Sequence, residues 1–176
     1  MNTATLSEST NNDIMPFKLH LHIEYPDEKP LKRVMLVYQR VENLQPAFER
    51  ILPLLQHYTE NYLAREGRYE GNPPFAPLSP RYARYKAKRY PGAPILTRSG
   101  RLRASLASIT SDSIADASPD ALVYGTRTPY ALYHQYGTRK MPKRPPLKLS
   151  KTLSTRIITI LRNYLLEQGE KQGENL

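Results

Sequence analysis

The sequence predicts an α+β fold: a small, mainly antiparallel sheet packed against helices, with a flexible N-terminal arm and a long C-terminal helix. Three observations carry that prediction. Residues 17–25 alternate apolar and polar side chains, which is the period of a half-buried strand. Two β-rich stretches flank Ser118-Pro119-Asp120, a turn-forming tripeptide. Three longer segments place their apolar residues three and four apart, which puts them on one face of a helix. A chain of 176 residues suits a single domain with extended ends. We divide it into an arm over 1–16, one domain over 17–168 and a polar tail over 169–176.

The arm is rich in Ser, Thr and Asn and lacks an apolar run of signal-peptide length. The first strand sets Phe17, Leu19, Leu21, Ile23 and Tyr25 on one side and Lys18, His20, His22 and Glu24 on the other. Asp27 to Pro30 turns the chain, and Pro30 suits a first helical turn. Leu31, Val34, Met35, Tyr38 and Val41 then follow at helical spacing. A second helix from Pro46 carries Phe48, Ile51, Leu52, Leu55, Tyr58 and Tyr62, and Pro53 inside it predicts a kink. Gly67 to Pro77 reads as a loop.

Ser79-Pro80 reads as an N-cap and first-turn pair, opening a basic helix towards Tyr90. After a break at Pro91 to Pro94, Thr97 to Leu106 forms another short helix. Ala107 to Ile114 and Ala121 to Thr126 form the hairpin. Pro129 to Tyr136 is a short helix stopped by Gly137. A basic, Pro-rich loop spans Thr138 to Pro146, and the last helix starts near Ser150 with Leu153, Ile157, Ile160, Leu161, Tyr164 and Leu165 on its apolar side.

Composition narrows the function classes. Without Cys there is no disulfide, thiolate metal site or Cys nucleophile. No run of about 18 apolar residues occurs, so no membrane partner is expected. The net charge of +10 is uneven: Gly71 to Leu166 holds 17 Lys/Arg against Asp112, Asp116 and Asp120, a surplus of 14. Nucleic acid, an acidic protein partner and a plainly solvated basic surface each account for it. Tyr outnumbers Phe 13 to 3, which suits half-wet surfaces such as subunit interfaces.

A search for reaction chemistry comes back empty. His20 and His22 point the same way from a strand, but Glu24 is the sole extra ligand candidate, so an exposed strand face is the simpler reading. His134 lies in Tyr130-Ala131-Leu132-Tyr133-His134-Gln135-Tyr136-Gly137 with no partner constellation, which favours a buried or interfacial hydrogen-bonding histidine over a base. No nucleophile elbow, zinc-binding His pair or phosphate loop is present. The expectation is therefore no enzyme, no cofactor and no metal. Arg81, Arg84, Lys86, Lys88 and Arg89 interleave with Tyr82, Tyr85 and Tyr90, a mixture able to hold nucleic acid by phosphate contact and stacking. The same pattern describes a helix that packs its Tyr and solvates its charges.

Four blocks in order then carry a resemblance. They are Pro74-Phe75-Ala76-Pro77-Leu78-Ser79-Pro80, Ile95-Leu96-Thr97-Arg98-Ser99-Gly100-Arg101-Leu102-Arg103-Ala104-Ser105-Leu106, Val123-Tyr124-Gly125-Thr126 leading to Tyr130 and His134 to Gly137, and Pro142-Lys143-Arg144-Pro145. Together they resemble the Mu-like phage virion-morphogenesis family, also described as tail-completion proteins. Phe75 stands where the family usually has Trp, and Pro146-Leu147 replaces its usual Phe. Gly100, Gly125 and Gly137 read as turn or punctuation positions. Arg144 between prolines reads as poised for a forked contact to a carboxylate.

The resemblance implies a non-enzymatic virion protein at the neck or tail end, assembled in the bacterial host cytoplasm. It implies partnership with further copies in a ring, for which sixfold symmetry is the expectation from tails in general, and with head–tail connector and tail tube proteins. Non-specific contact with DNA in the channel belongs to the same picture. The interaction residues expected are Arg81, Arg84, Lys88, Arg98, Arg101, Arg103, Lys143 and Arg144. Phe75, Gly100, Gly125, Tyr130, His134, Gly137 and Pro145 are expected to set the fold or an interface. The rival reading is a basic DNA-binding accessory protein of phage assembly.

Overall fold

The computed structural model describes residues 29–167, and the expected arm, first strand and polar tail lie outside them. The described residues form α1 (Lys29–Glu42), α2 (Gln45–Ala64), α3 (Pro80–Arg89), α4 (Arg101–Ala107), β1 (Ser113–Ala117), β2 (Leu122–Thr126), α5 (Ala131–Tyr136) and α6 (Lys151–Leu166). The fold is α+β, with a two-stranded antiparallel sheet among the described residues.

Helix α2 is the spine. Asn43 Oδ1 accepts from the Gln45 amide at 3.1 Å, and Pro46 occupies the first turn, where its missing N–H costs nothing. Ile51, Leu55, Tyr58, Tyr62 and Leu63 form its buried stripe. The helix runs unbroken through Pro53, which is exposed, so the freed carbonyl of the preceding turn sits on the solvent side. Against this stripe pack Phe75, Leu102, Leu106 and Leu153 from three other segments. Phe75 meets Tyr62 edge-on at 5.3 Å and 81°, so the aromatic position of the first block is a core anchor.

Helix α6 starts where the sequence puts it. Ser150 Oγ accepts from the Leu153 amide at 2.9 Å and donates to Glu70 Oε2 at 2.7 Å, joining the cap to the loop after α2.

Two expected boundaries move. The helix expected from Thr97 begins only at Arg101, because Leu96 and Gly100 take left-handed φ values of 67° and 78°. The first hairpin strand, expected over 107–114, runs from Ser113 to Ala117 instead. Ser113 Oγ donates to the Ser108 carbonyl and accepts from the Thr110 amide, both at 2.8 Å, and this short polar turn captures the backbone that a strand would need. The hairpin pairs Ser113 with Thr126 through Ala117 with Leu122, turning at 118–120 as expected.

Helix α1 behaves differently. Its apolar residues Val34, Met35, Tyr38 and Val41 are 54–66% exposed. A second apolar feature is a cleft of about 610 Å³ bounded by α2, α6, β2 and residues 147–149. No described helix is long and apolar enough to cross a membrane.

Candidate functional site

The prolines of the first block prevent it from bonding to itself, so its carbonyls need outside donors. Arg144 supplies them. Its Nε donates to the Ala76 carbonyl at 2.6 Å and its Nη2 to the Pro77 carbonyl at 2.7 Å. Its own amide donates to the His134 carbonyl at 2.8 Å. The guanidinium is thus a buried rivet between three segments, 4% exposed, and its expected carboxylate partner is replaced by two carbonyls. Burial lowers its pKa, but an arginine stays charged there.

Helix α3 is capped by Ser79, whose Oγ accepts from the Tyr82 amide at 3.4 Å. The side chain it buries is Lys86, whose Nζ donates to the Pro94 carbonyl at 2.5 Å and pins the turn after the helix. Tyr82 and Tyr85 are 38% and 51% exposed, which corrects the expectation that the tyrosines pack. Desolvation lowers the Lys86 pKa, with Glu66 acting in the opposite sense.

From Pro94 the chain enters the left-handed turn at Leu96 and Gly100. Leu96 at φ 67° is a branched side chain in a region that costs roughly 1–3 kcal/mol, and such strain concentrates at functional positions. The turn presents Arg98 over the Tyr90 ring at 5.9 Å, exposed and raised in pKa by that tyrosine. Helix α5 closes the opposite side. Tyr130 meets His134 edge-on at 6.1 Å, and Gly137 ends the helix at φ 79°. A Cβ on Gly137 would lie 2.9 Å from the Lys143 amide nitrogen, so only glycine lets the loop return so closely.

These segments enclose a groove of about 870 Å³. Among the expected site residues it gathers Arg98, Gly100, Arg101, Tyr130, His134 and Arg144. Its lining also includes Lys86 and Lys140 and no Asp or Glu, so the charged groups that line it are all basic. Leu78, Ile95, Leu96, Leu102 and Met141 give it an apolar floor. Two polar atoms, Thr97 Oγ1 and His134 Nδ1, are buried in this lining without a hydrogen-bond partner. Unsatisfied buried polar atoms are costly, roughly 1–3 kcal/mol each. Desolvation, and secondarily Arg144, lowers the His134 pKa, so the ring is neutral near pH 7 and able to donate or accept.

The remaining expected residues fall elsewhere. Arg81, Arg84 and Lys88 are exposed on α3, and Lys143 is exposed beyond the rim; none lines the groove. Arg103 is forked onto Glu60 of α2, with Nε 2.9 Å from both oxygens, and ties α4 to the spine. Arg101 is likewise forked onto Asp112, at 2.5 and 2.7 Å, which leaves its charge largely answered within the chain. Phe75 is core, and Pro145 is half-buried beside Arg144. Gly125 sits within β2 with an ordinary φ and nothing within 4 Å of an added Cβ, so the expected backbone requirement is not there.

The sequence marks Lys86 within the basic helix without giving it a separate role, and it gives none to Thr97 or Lys140. Tyr82 and Lys86 lie four apart on one helical face, a signal that was available; the orphaned Thr97 hydroxyl had none. Among the described residues no group of three or more His, Cys, Asp or Glu is placed to hold a metal, and His20, His22 and Glu24 lie outside them.

No curated protein and no solved structure matches the chain. The model of the phage virion morphogenesis family matches residues 28–166, which takes in all four sequence blocks and every described helix and strand. The chain belongs to the phage virion morphogenesis family, and its role is virion-related.

Proposed function

We propose that the protein is a structural virion component that completes or terminates the tail and joins it to the head–neck assembly of a tailed phage or prophage, acting as one member of an oligomeric ring. The family match over 28–166 carries this reading. The groove supports it: a positive, apolar-floored cleft with two unsatisfied polar atoms suits an acidic segment of a neighbouring virion protein. Function then resides in a presented surface, with Arg98 and Lys140 as exposed cations of the groove and Tyr82 and Tyr130 as its part-exposed aromatics.

Particles made without the chain test it by electron microscopy. Filled heads and separate tails are the expected outcome, and intact infectious particles would refute the reading. Within that test, Arg98→Glu and Lys140→Glu should separate heads from tails while leaving the subunit folded. Arg144→Glu belongs to a different class, since it removes the rivet and unfolds the groove.

A second reading is favoured by one observation, the exposure of Tyr82 and Tyr85 among Arg81, Arg84 and Lys88. That face suits DNA, and a steep loss of affinity in a salt titration would support it, whereas no binding at low salt would remove it.

A further inference from the structure

Helix α1 carries an exposed apolar stripe, and the apolar cleft between α2, α6 and β2 has buried walls from Ile51, Leu55 and Leu153 and an exposed lip at Leu149. Three contacts fasten the C-terminal end of α1 and the residues after it to the body. The Arg40 guanidinium lies 5.6 Å from the Tyr164 ring centre, Tyr164 donates to the Asn43 carbonyl at 2.6 Å, and the Leu44 amide donates to the Pro119 carbonyl at 2.8 Å. From Arg40 back to Lys29 the helix runs about 17 Å, along a stripe whose Val34, Met35 and Tyr38 are more than half exposed. Just beyond Lys29 in sequence stands the cleanest strand pattern of the chain, residues 17–25, with five alternating apolar side chains.

The cleft has the complementary character. Leu122 and Tyr124 of β2 line it with Ile51 and Leu55 of α2 and Leu153 and Ile157 of α6. On its far edge β2 has no strand neighbour among the described residues. A free strand edge beside an apolar trough is the arrangement that accepts an added strand: main-chain bonds complete the sheet while alternate side chains fill the trough.

The geometry points to arm exchange: residues Phe17–Tyr25 of one copy add to the β2 edge of a second copy and fill its cleft, while the α1 stripe lies against that same neighbour. This rests on the ring reading above and names the contact that links its members. One contact covers both apolar features, and the segment precedes the N-terminal end of α1 in sequence. A head-to-tail contact of this kind uses different surfaces on the two copies, which is what a ring requires.

The absence of Cys makes the test clean. Full-length Leu149→Cys, at a cleft position 61% exposed, is mixed with a full-length, size-tagged arm variant and oxidised. The arm variants Leu19→Cys, Leu21→Cys and Ile23→Cys sample the register. A disulfide between the two sizes of chain is expected from at least one pair, and the double variant Leu21→Cys/Leu149→Cys should give a ladder of linked copies. A faster-migrating, self-closed monomer in place of the ladder would overturn the exchange, as would no link from any pair or a chain that stays monomeric at every concentration. The two readings fail separately. Links in purified protein together with normal particles lacking the chain would sink the joining role alone. Separate heads and tails without links would sink arm exchange alone.

Discussion

Helices α1 and α2 carry the same kind of apolar stripe, and only one of them is covered. In α2, Ile51, Tyr58, Tyr62 and Leu63 are at most 3% exposed, because Phe75, α4 and α6 converge on the stripe. In α1, Val34, Met35, Tyr38 and Val41 stay more than half exposed. The cations divide in the same way. Arg144, Arg103 and Arg101 spend their donors on carbonyls and carboxylates within the chain, whereas Lys140 is exposed on the groove and Arg98, exposed beside it, meets only the Tyr90 side chain and no carboxylate. What separates the two classes is whether a group finds its partner within the subunit. Those that do hold the fold, and those that do not are the surfaces left for other molecules.

The sharpest way to break this comparison is to treat both helices alike. Ile51→Ala should cost about 3 kcal/mol in urea unfolding, through lost burial and a residual cavity. Val34→Ser should stay within about 0.5 kcal/mol for the monomer while reducing self-association in light scattering. Equal losses of monomer stability would mean that α1 is part of the subunit core after all.

Arginines give the next contrast. Arg144→Met should destabilise by about 3 kcal/mol, because the Ala76 and Pro77 carbonyls are left buried without donors. Arg98→Glu should change stability by no more than about 0.5 kcal/mol and act only in the joining assay.

Glycines give a smaller one. Gly137→Ala should cost about 2 kcal/mol, from a left-handed φ together with the close approach to Lys143, and Gly125→Ala about 0.5 kcal/mol or less.

The smallest effect is on pH dependence. The folded-state pKa of His134 lies below the ordinary 6.5, so its neutral form is the one the fold prefers. Its contribution is complete above about pH 6.5 and is lost as pH falls from there towards the folded value, where the unfolded chain binds more protons. His134→Gln should flatten that slope in urea titrations over the same window. The carboxylates act lower: Arg103 holds Glu60 below 4.5, so that pair's contribution fades only as pH falls through the lowered value.

Much of this fold was legible in the sequence. The Ser79 and Ser150 caps, the α2 stripe, the 118–120 turn and the Gly137 stop each rest on local chemistry within a few residues, and each is found where expected. The boundaries that moved were set from outside the segment or by competing polar side chains. Thr97 to Gly100 has residues able to form a helix, but the turn is held by the Thr97 amide on Pro94 and by the Ile95 amide donating to Glu66 Oε1 at 2.7 Å. The site was legible as a list of residues and not as a place. Four blocks marked Arg98, Gly100, Tyr130, His134 and Arg144, yet spacing could not tell a groove cation from a buried rivet.

The sequence by itself determined the periodicities, the caps, the excess of positive charge from Gly71 to Leu166 and the ordered blocks of the family. These depend on neighbours three or four residues away, or on composition, and survive any arrangement of the whole. Only the tertiary structure decided which charges are spent and which apolar stripe is left open. Those outcomes depend on partners beyond the local segment, such as the Ala76 and Pro77 carbonyls, 68 and 67 residues from the Arg144 they meet. Burial and pairing are properties of the assembled surface, and a periodic stripe carries no record of what will cover it.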